Sequence, residues 1–160
     1  HLTTLLNNLI SVPLDNGNKN FLPSSIQIAT IDVGNTAANI IPETAKATVN
    51  IRYNDLHNSK SLTEWMQKQI NDVFDKIDKA SCVFEVEANG ESFLTEPGKL
   101  STLITKSISD ATGRNSKPEL ATDGGTSDAR FIKDYCEVVE LGSRNQTLHQ
   151  VDEFVFIYRA

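Results

Sequence analysis

The sequence predicts an α+β fold for about its first ninety residues, with helices packed on one face of a largely antiparallel sheet. Three observations predict it. Apolar side chains recur at helical spacing over residues 2–10, and a wide apolar stripe runs over residues 62–77. Between them, residues 45–53 alternate strictly between apolar and polar side chains, which is typical of a half-buried strand.

The order of the predicted elements is helix, strand, strand, helix, strand. The first strand carries Ile26, Ile28, Ile31 and Val33, whose alternation slips once and predicts a bulge. Ser59 or Ser61 is predicted to cap the second helix. Alternation through residues 82–88 predicts the third strand, with Cys82, Phe84, Val86 and Ala88 on one face.

The chain begins inside the first helical pattern, with no capping residue and no Met before Leu2. We therefore expect residue 1 to lie within a longer protein. A trimmed or frayed natural terminus is the alternative.

The second segment, from about residue 93, has too few core residues to close a sheet by itself. It predicts a helix that begins near Leu100 and ends at Gly113, and a short helix after a glycine turn. Short strands are predicted at 120–121 and 138–141. These elements are typical of one piece of a larger α/β domain.

Composition excludes several classes of protein. The 160 residues suit one domain or two small ones, and the net charge of −6 argues against binding to nucleic acid or to a membrane surface. No apolar run reaches the length of a membrane span. Cys82 and Cys136 stand far apart, which favours two free thiols in a reducing cytoplasm.

The turn around Gly124-Gly125 carries the strongest chemical signal. Two glycines allow the backbone to approach a ligand closely. Thr126, Ser127 and Asp128 can cap the helix that follows, whose free N–H groups attract an anion such as a carboxylate.

Other polar residues give weaker signals. His149 ends a hydroxyl- and amide-rich loop and suits a metal or a proton, although a lone loop His is often a surface residue. Arg52 and Arg130 are candidate carboxylate ligands, with solvated side chains as the alternative. His1 and His57 have no motif around them and are expected to be exposed to solvent.

Taken together, these residues and the sequence motifs around them resemble the succinyl-diaminopimelate desuccinylase family, a branch of the zinc aminoacylase and metallopeptidase superfamily. The most specific are Phe93-Leu94-Thr95-Glu96-Pro97-Gly98-Lys99-Leu100 and Gly124-Gly125-Thr126-Ser127-Asp128. The others are Gly17-Asn18 with 21–28, Asn39-Ile40-Ile41-Pro42, Ile51-Arg52-Tyr53, Val138-Val139-Glu140-Leu141-Gly142 and Asn145-Gln146-Thr147-Leu148-His149.

The resemblance implies an architecture and an activity. Residues 1–92 would be a lid and dimerisation domain, and 93–160 the C-terminal segment of a zinc-hydrolase catalytic domain whose N-terminal half is absent. The family hydrolyses N-succinyl-LL-diaminopimelate to succinate and diaminopimelate, for lysine and cell-wall synthesis, with two zinc ions in each active site. It implies a cytoplasmic homodimer, joined through the lid, with no nucleic-acid or membrane partner.

The resemblance also assigns roles to residues. His149 matches a zinc ligand, and the substrate-binding positions are Asn39, Arg52, Gly125, Thr126, Ser127 and Asn145, with Asn39 reaching across the dimer. The general-base Glu, the bridging Asp, the other zinc ligands and a lid His have no counterpart here. We therefore expect no catalytic residue in this chain and no activity from it alone.

Two other functions stay open at this stage. The chain could be a non-catalytic dimerisation remnant of a decayed gene, or part of a related N-acyl amino acid deacylase. The family pattern is broken at Ala38, at Ala129 and after Glu153.

Overall fold

A computed structural model describes residues 1–113, 117–122, 128–142, 147 and 150–154. Its described residues form two compact units. One holds residues 1–94 with 120–122, and the other holds 95–113, 117–119 and the described residues from 128 onward. Each unit is considered by itself.

The first unit is built on a two-stranded hairpin. Its elements are α1 (Leu2–Ser11), β1 (Ser25–Asp32), β2 (Lys46–Arg52) and α2 (Ser59–Phe74). The strands are antiparallel, and their register runs from the pair Ser25–Arg52 to the pair Asp32–Lys46. A register shift between Ile28 and Thr30 confirms the predicted slip in β1.

The core of this unit lies between the helices and the inward face of the hairpin. Leu9 is the most deeply buried, at 1% exposure. The buried residues are Leu5, Leu6, Leu9, Met66, Ile70 and Val73, packed against Ile28, Ala47, Val49 and Ile51 among others. The helical patterns in α1 and α2 and the alternation in β2 are thus confirmed.

Helix α2 begins with a reciprocal cap. Asn58 is the N-cap, its side chain accepts a hydrogen bond from the Ser61 amide, and the Ser61 hydroxyl in turn accepts one from the Asn58 amide. The prediction that Ser59 or Ser61 caps this helix was wrong, because Asn58 is the N-cap, Ser59 is the first helical residue and Ser61 is the N3 residue of the capping box.

The third strand predicted over residues 82–88 is wrong. The described chain has neither helix nor strand between Phe74 and Lys99. Phe84 packs against the core, whereas Val83 and Val86 are 87% and 51% exposed. An alternating pattern becomes a strand only when a neighbouring edge accepts its backbone hydrogen bonds, and the described sheet has two strands.

The second unit contains helix α3 (Lys99–Thr112) and the single turn α4 (Ala129–Ile132). Gly113 ends α3 in the left-handed conformation with φ 62°, as its position predicts. The strands predicted at 120–121 and 138–141 are absent from the described residues, and Leu141 is 68% exposed. The domain boundary predicted after residue 92 stays a prediction.

None of the helices in the described ranges has the length and apolar content that a bilayer crossing requires.

Candidate functional site

The predicted anion and metal site falls on parts of the chain that the structure does not describe. Gly125, Thr126, Ser127, Asn145 and His149 all lie outside the described residues. Their roles therefore stay predictions.

Asn39 and Arg52 are described, and they lie at opposite ends of the hairpin. Asn39 is exposed, in a turn of the connection between β1 and β2. Arg52 is the last residue of β2, on its exposed face, and pairs with Ser25 at the far end of the register. Six residues of strand, about 20 Å, separate Arg52 from the hairpin-loop end. Within one copy of the hairpin, Arg52 therefore lies at the end far from the connection that carries Asn39.

Arg130 lies in α4, next to the predicted anion turn. Its guanidinium carbon is 4.6 Å from the centre of the Phe131 ring, within cation–π distance. Its Nε is buried and has no hydrogen-bond partner among the described residues. A buried guanidinium nitrogen of this kind is suited to a carboxylate ligand.

The sequence did not reveal a polar cluster in the first unit, and the prediction that His57 is exposed was wrong. The His57 side chain is 21% exposed, and its Nε2 lies 3.1 Å from Oδ2 of Asp15. Asp15 also accepts hydrogen bonds from the Asn54 side chain at 2.8 Å and from the backbone amide of Gly17 at 2.6 Å. The backbone amide of Ser24 donates to the same carboxylate.

These contacts fix the charge of Asp15. Its side chain is only 8% exposed, and burial by itself would raise the pKa of the carboxyl. Hydrogen bonds from Ser24, Gly17 and Asn54 outweigh burial and hold this pKa far below its ordinary value. Asp15 is therefore an ionised carboxylate that ties two connections of the first unit together, the one between α1 and β1 and the one between β2 and α2.

Part of this cluster was detectable from the sequence. An Asp two residues before a Gly is typical of a turn in which the carboxylate accepts the glycine amide, as Asp15 does from Gly17. The contacts to Asn54 and His57 span 39 and 42 residues, and no local pattern encodes them.

The described residues do not fit a zinc site. No three side chains of His, Cys, Asp or Glu converge among them. The His–carboxylate pair that the described ranges contain, His57 with Asp15, uses a carboxylate whose oxygens already accept several N–H groups. No chemical step through a metal is derived from this part of the chain.

The folded first unit is similar to a known family of domains. Residues 2–78 match the family model of the peptidase dimerisation domain. This segment holds α1, the hairpin, α2 and the buried core of the first unit.

Matches over nearly the full chain are more specific than this domain match. The succinyl-diaminopimelate desuccinylase of Ruegeria pomeroyi is 48% identical over 156 residues, which are 98% of this chain and 40% of that protein. The protein of the same name from Parvibaculum lavamentivorans is 47% identical over 95% of this chain and 38% of its own length. The chain is similar to these desuccinylases over nearly its whole length, and it spans about two fifths of the length of these relatives.

Proposed function

We propose that this chain is part of a metal-dependent amidohydrolase that converts N-succinyl-LL-diaminopimelate to succinate and diaminopimelate in the cytoplasm. The observation that carries the proposal is 48% identity to a named desuccinylase over 98% of the chain. Free, exposed Cys82 and Cys136 support a reducing compartment. The chain supplies a lid and dimerisation domain, residues 1–92, and a C-terminal catalytic segment, residues 93–160.

The first unit is proposed to join two copies of the chain. The match of residues 2–78 to a peptidase dimerisation domain supports this role. A homodimer interface is self-complementary, so the same patch of each copy is buried.

The dimer gives a reason for the separation of Asn39 and Arg52. Because these residues lie at opposite ends of one hairpin, they are suited to serve two different active sites. In this proposal Arg52 binds a substrate carboxylate within its own subunit, and Asn39 contacts the substrate bound by the partner subunit.

The C-terminal segment, residues 93–160, is proposed to complete the substrate and metal site. Gly125, Thr126 and Ser127 bind a substrate carboxylate, and Arg130, whose Nε is buried, adds positive charge three residues after Ser127 in the sequence. Asn145 contacts the substrate. His149 is one ligand of a two-zinc centre, and a metal there would activate the attacking water.

In this proposal, activity requires a further protein segment that supplies the other metal ligands and a general base. One imidazole cannot hold two metal ions, and no general base is assigned within this chain. The test is co-expression of the chain with the part of the Ruegeria pomeroyi enzyme that it does not cover. Zinc-dependent release of succinate from N-succinyl-diaminopimelate is expected, with each part alone inactive.

The same mixture separates the alternatives. Faster hydrolysis of N-acetylornithine than of N-succinyl-diaminopimelate would indicate a related N-acyl amino acid deacylase. A folded, dimeric chain that restores no hydrolysis with any partner segment would indicate a non-catalytic dimerisation remnant.

A further inference from the structure

Glu91 connects three parts of the first unit just before the chain passes to the second. Its carboxylate accepts hydrogen bonds from the Ser59 amide at 3.1 and 3.2 Å, and from the Ser59 hydroxyl. Its Oε2 lies 3.1 Å from the hydroxyl of Tyr53. The end of β2, the start of α2 and residue 91 are thereby held together.

Gly90 gives this contact a second attachment. The Tyr53 hydroxyl also lies 2.8 Å from the Gly90 carbonyl oxygen, so its single hydrogen is shared between Gly90 and Glu91. Gly90 has φ 151°, a conformation that side-chain-bearing residues rarely adopt. The backbone is therefore turned at residue 90 in a way that presents both acceptors to Tyr53.

The electrostatics agree with the geometry. The Ser59 hydrogen bonds lower the pKa of Glu91, so the carboxylate is ionised where it meets the first amide of α2. Burial and the neighbouring Glu91 charge raise the pKa of Tyr53 to about 12, which keeps its hydroxyl a donor.

Glu91 lies near the end of a long stretch without regular secondary structure. No helix or strand is described between Phe74 and Lys99, and the compact units change after Leu94. Upstream of Glu91, the nearest residue of this stretch that packs on the core is Phe84. We propose that Glu91 is the anchor that fixes the end of this irregular stretch to the start of α2, so that the backbone over residues 85–91 is held on the first unit.

Without this anchor, the backbone that follows Phe84, over residues 85–91, would be held on the described part of the first unit only through the hydrogen bond between Tyr53 and Gly90.

NMR relaxation of the backbone amides in the intact 160-residue chain tests the proposal, with the segment 85–91 and helix α2 followed separately. We expect Glu91→Ala to lower the order parameters over 85–91 from about 0.8 to below about 0.6, and to leave the core of α2 unchanged. Tyr53→Phe, which removes only the hydroxyl, should have a smaller effect in the same segment.

Glu87→Ala is the matched control. Glu87 has the same charge, lies on the same irregular stretch and has no hydrogen bond among the described residues. Equal order parameters over 85–91 in Glu91→Ala and Glu87→Ala would overturn the proposal. Lower order parameters throughout α1 and α2 would also overturn it, since Glu91 would then stabilise the whole unit and not only the stretch 85–91.

Discussion

The side-chain amide of Asn54 donates a 2.8 Å hydrogen bond to the carboxylate of Asp15, 39 residues away. Asn54 is 3% exposed, and it also donates to the Leu22 carbonyl oxygen at 3.0 Å. Its backbone amide donates to the Ser24 hydroxyl. The connection between α1 and β1 is therefore locked to the connection between β2 and α2 through one buried carboxylate.

Replacing that carboxylate is expected to destabilise the first unit. Asp15→Asn keeps the shape but places an NH₂ group against N–H donors and removes a charge-assisted acceptor. We expect the free energy of unfolding to fall by about 2–3 kcal/mol. Chemical denaturation of both proteins measures it, with Asp78→Asn, at an exposed aspartate with no hydrogen bond among the described residues, as the control.

The same carboxylate should make stability depend on pH. Because the pKa of Asp15 is lower in the folded than in the unfolded protein, its contribution is complete above the unfolded value of about 4. It is lost progressively as the pH falls from there toward the folded pKa. The stability gap between wild type and Asp15→Asn should therefore narrow in acid. A constant gap down to about pH 2 would contradict this assignment.

Gly17 and Gly34 have similar backbone conformations, but substitution by Ala should have very different costs at the two positions. Gly17 and Gly34 have φ of 70° and 64°, so Ala is strained at both. A Cβ at Gly17 would lie 2.6 Å from the Phe21 carbonyl oxygen, which is backbone and cannot move aside, whereas at Gly34 nothing lies within 4 Å.

We expect Gly34→Ala to cost about 1 kcal/mol and Gly17→Ala to cost more than about 3 kcal/mol. Thermal unfolding of the two variants measures the difference. Equal costs would mean that the chain around Gly17 rearranges freely.

The sequence predicted those elements whose stabilising contacts are local or periodic. Leu5 and Leu9 on α1, the alternation ending at Arg52 and the left-handed Gly113 follow from spacing alone. The strand through Phe84 was wrong because a strand depends on a distant edge, which local alternation does not specify. His57 was misjudged for the same reason, since its partner Asp15 is 42 residues away.

Gly98 and Glu137 should act as one unit at the start of α3. The Glu137 carboxylate accepts the amides of Lys99 at 3.3 Å and Leu100 at 2.7 Å, next to the helix N-terminus. A Cβ at Gly98 would overlap the carboxylate oxygen of Glu137, so Gly98→Ala should displace it.

Each single variant, Gly98→Ala and Glu137→Ala, should therefore destabilise α3 by about 1 kcal/mol, and the double variant by little more than one of them. Hydrogen exchange of the Leu100 amide and the following turn gives these values. Additive losses would show that the two substitutions act through separate contacts.

The opposite positions of Asn39 and Arg52 allow a subunit-complementation test of the proposed dimer. Asn39→Ala and Arg52→Ala, each introduced in the co-expressed enzyme, should each strongly reduce hydrolysis. When the two variant enzymes are mixed and re-equilibrated, about half of the dimers contain one Asn39→Ala subunit and one Arg52→Ala subunit. If Asn39 serves the partner's active site, one of the two sites in such a dimer is intact. The mixture should then recover about a quarter of wild-type activity, measured as succinate released. No recovery, with exchange of subunits confirmed by a mass tag, would mean that both residues serve the same subunit's active site, or that one of them does not serve an active site.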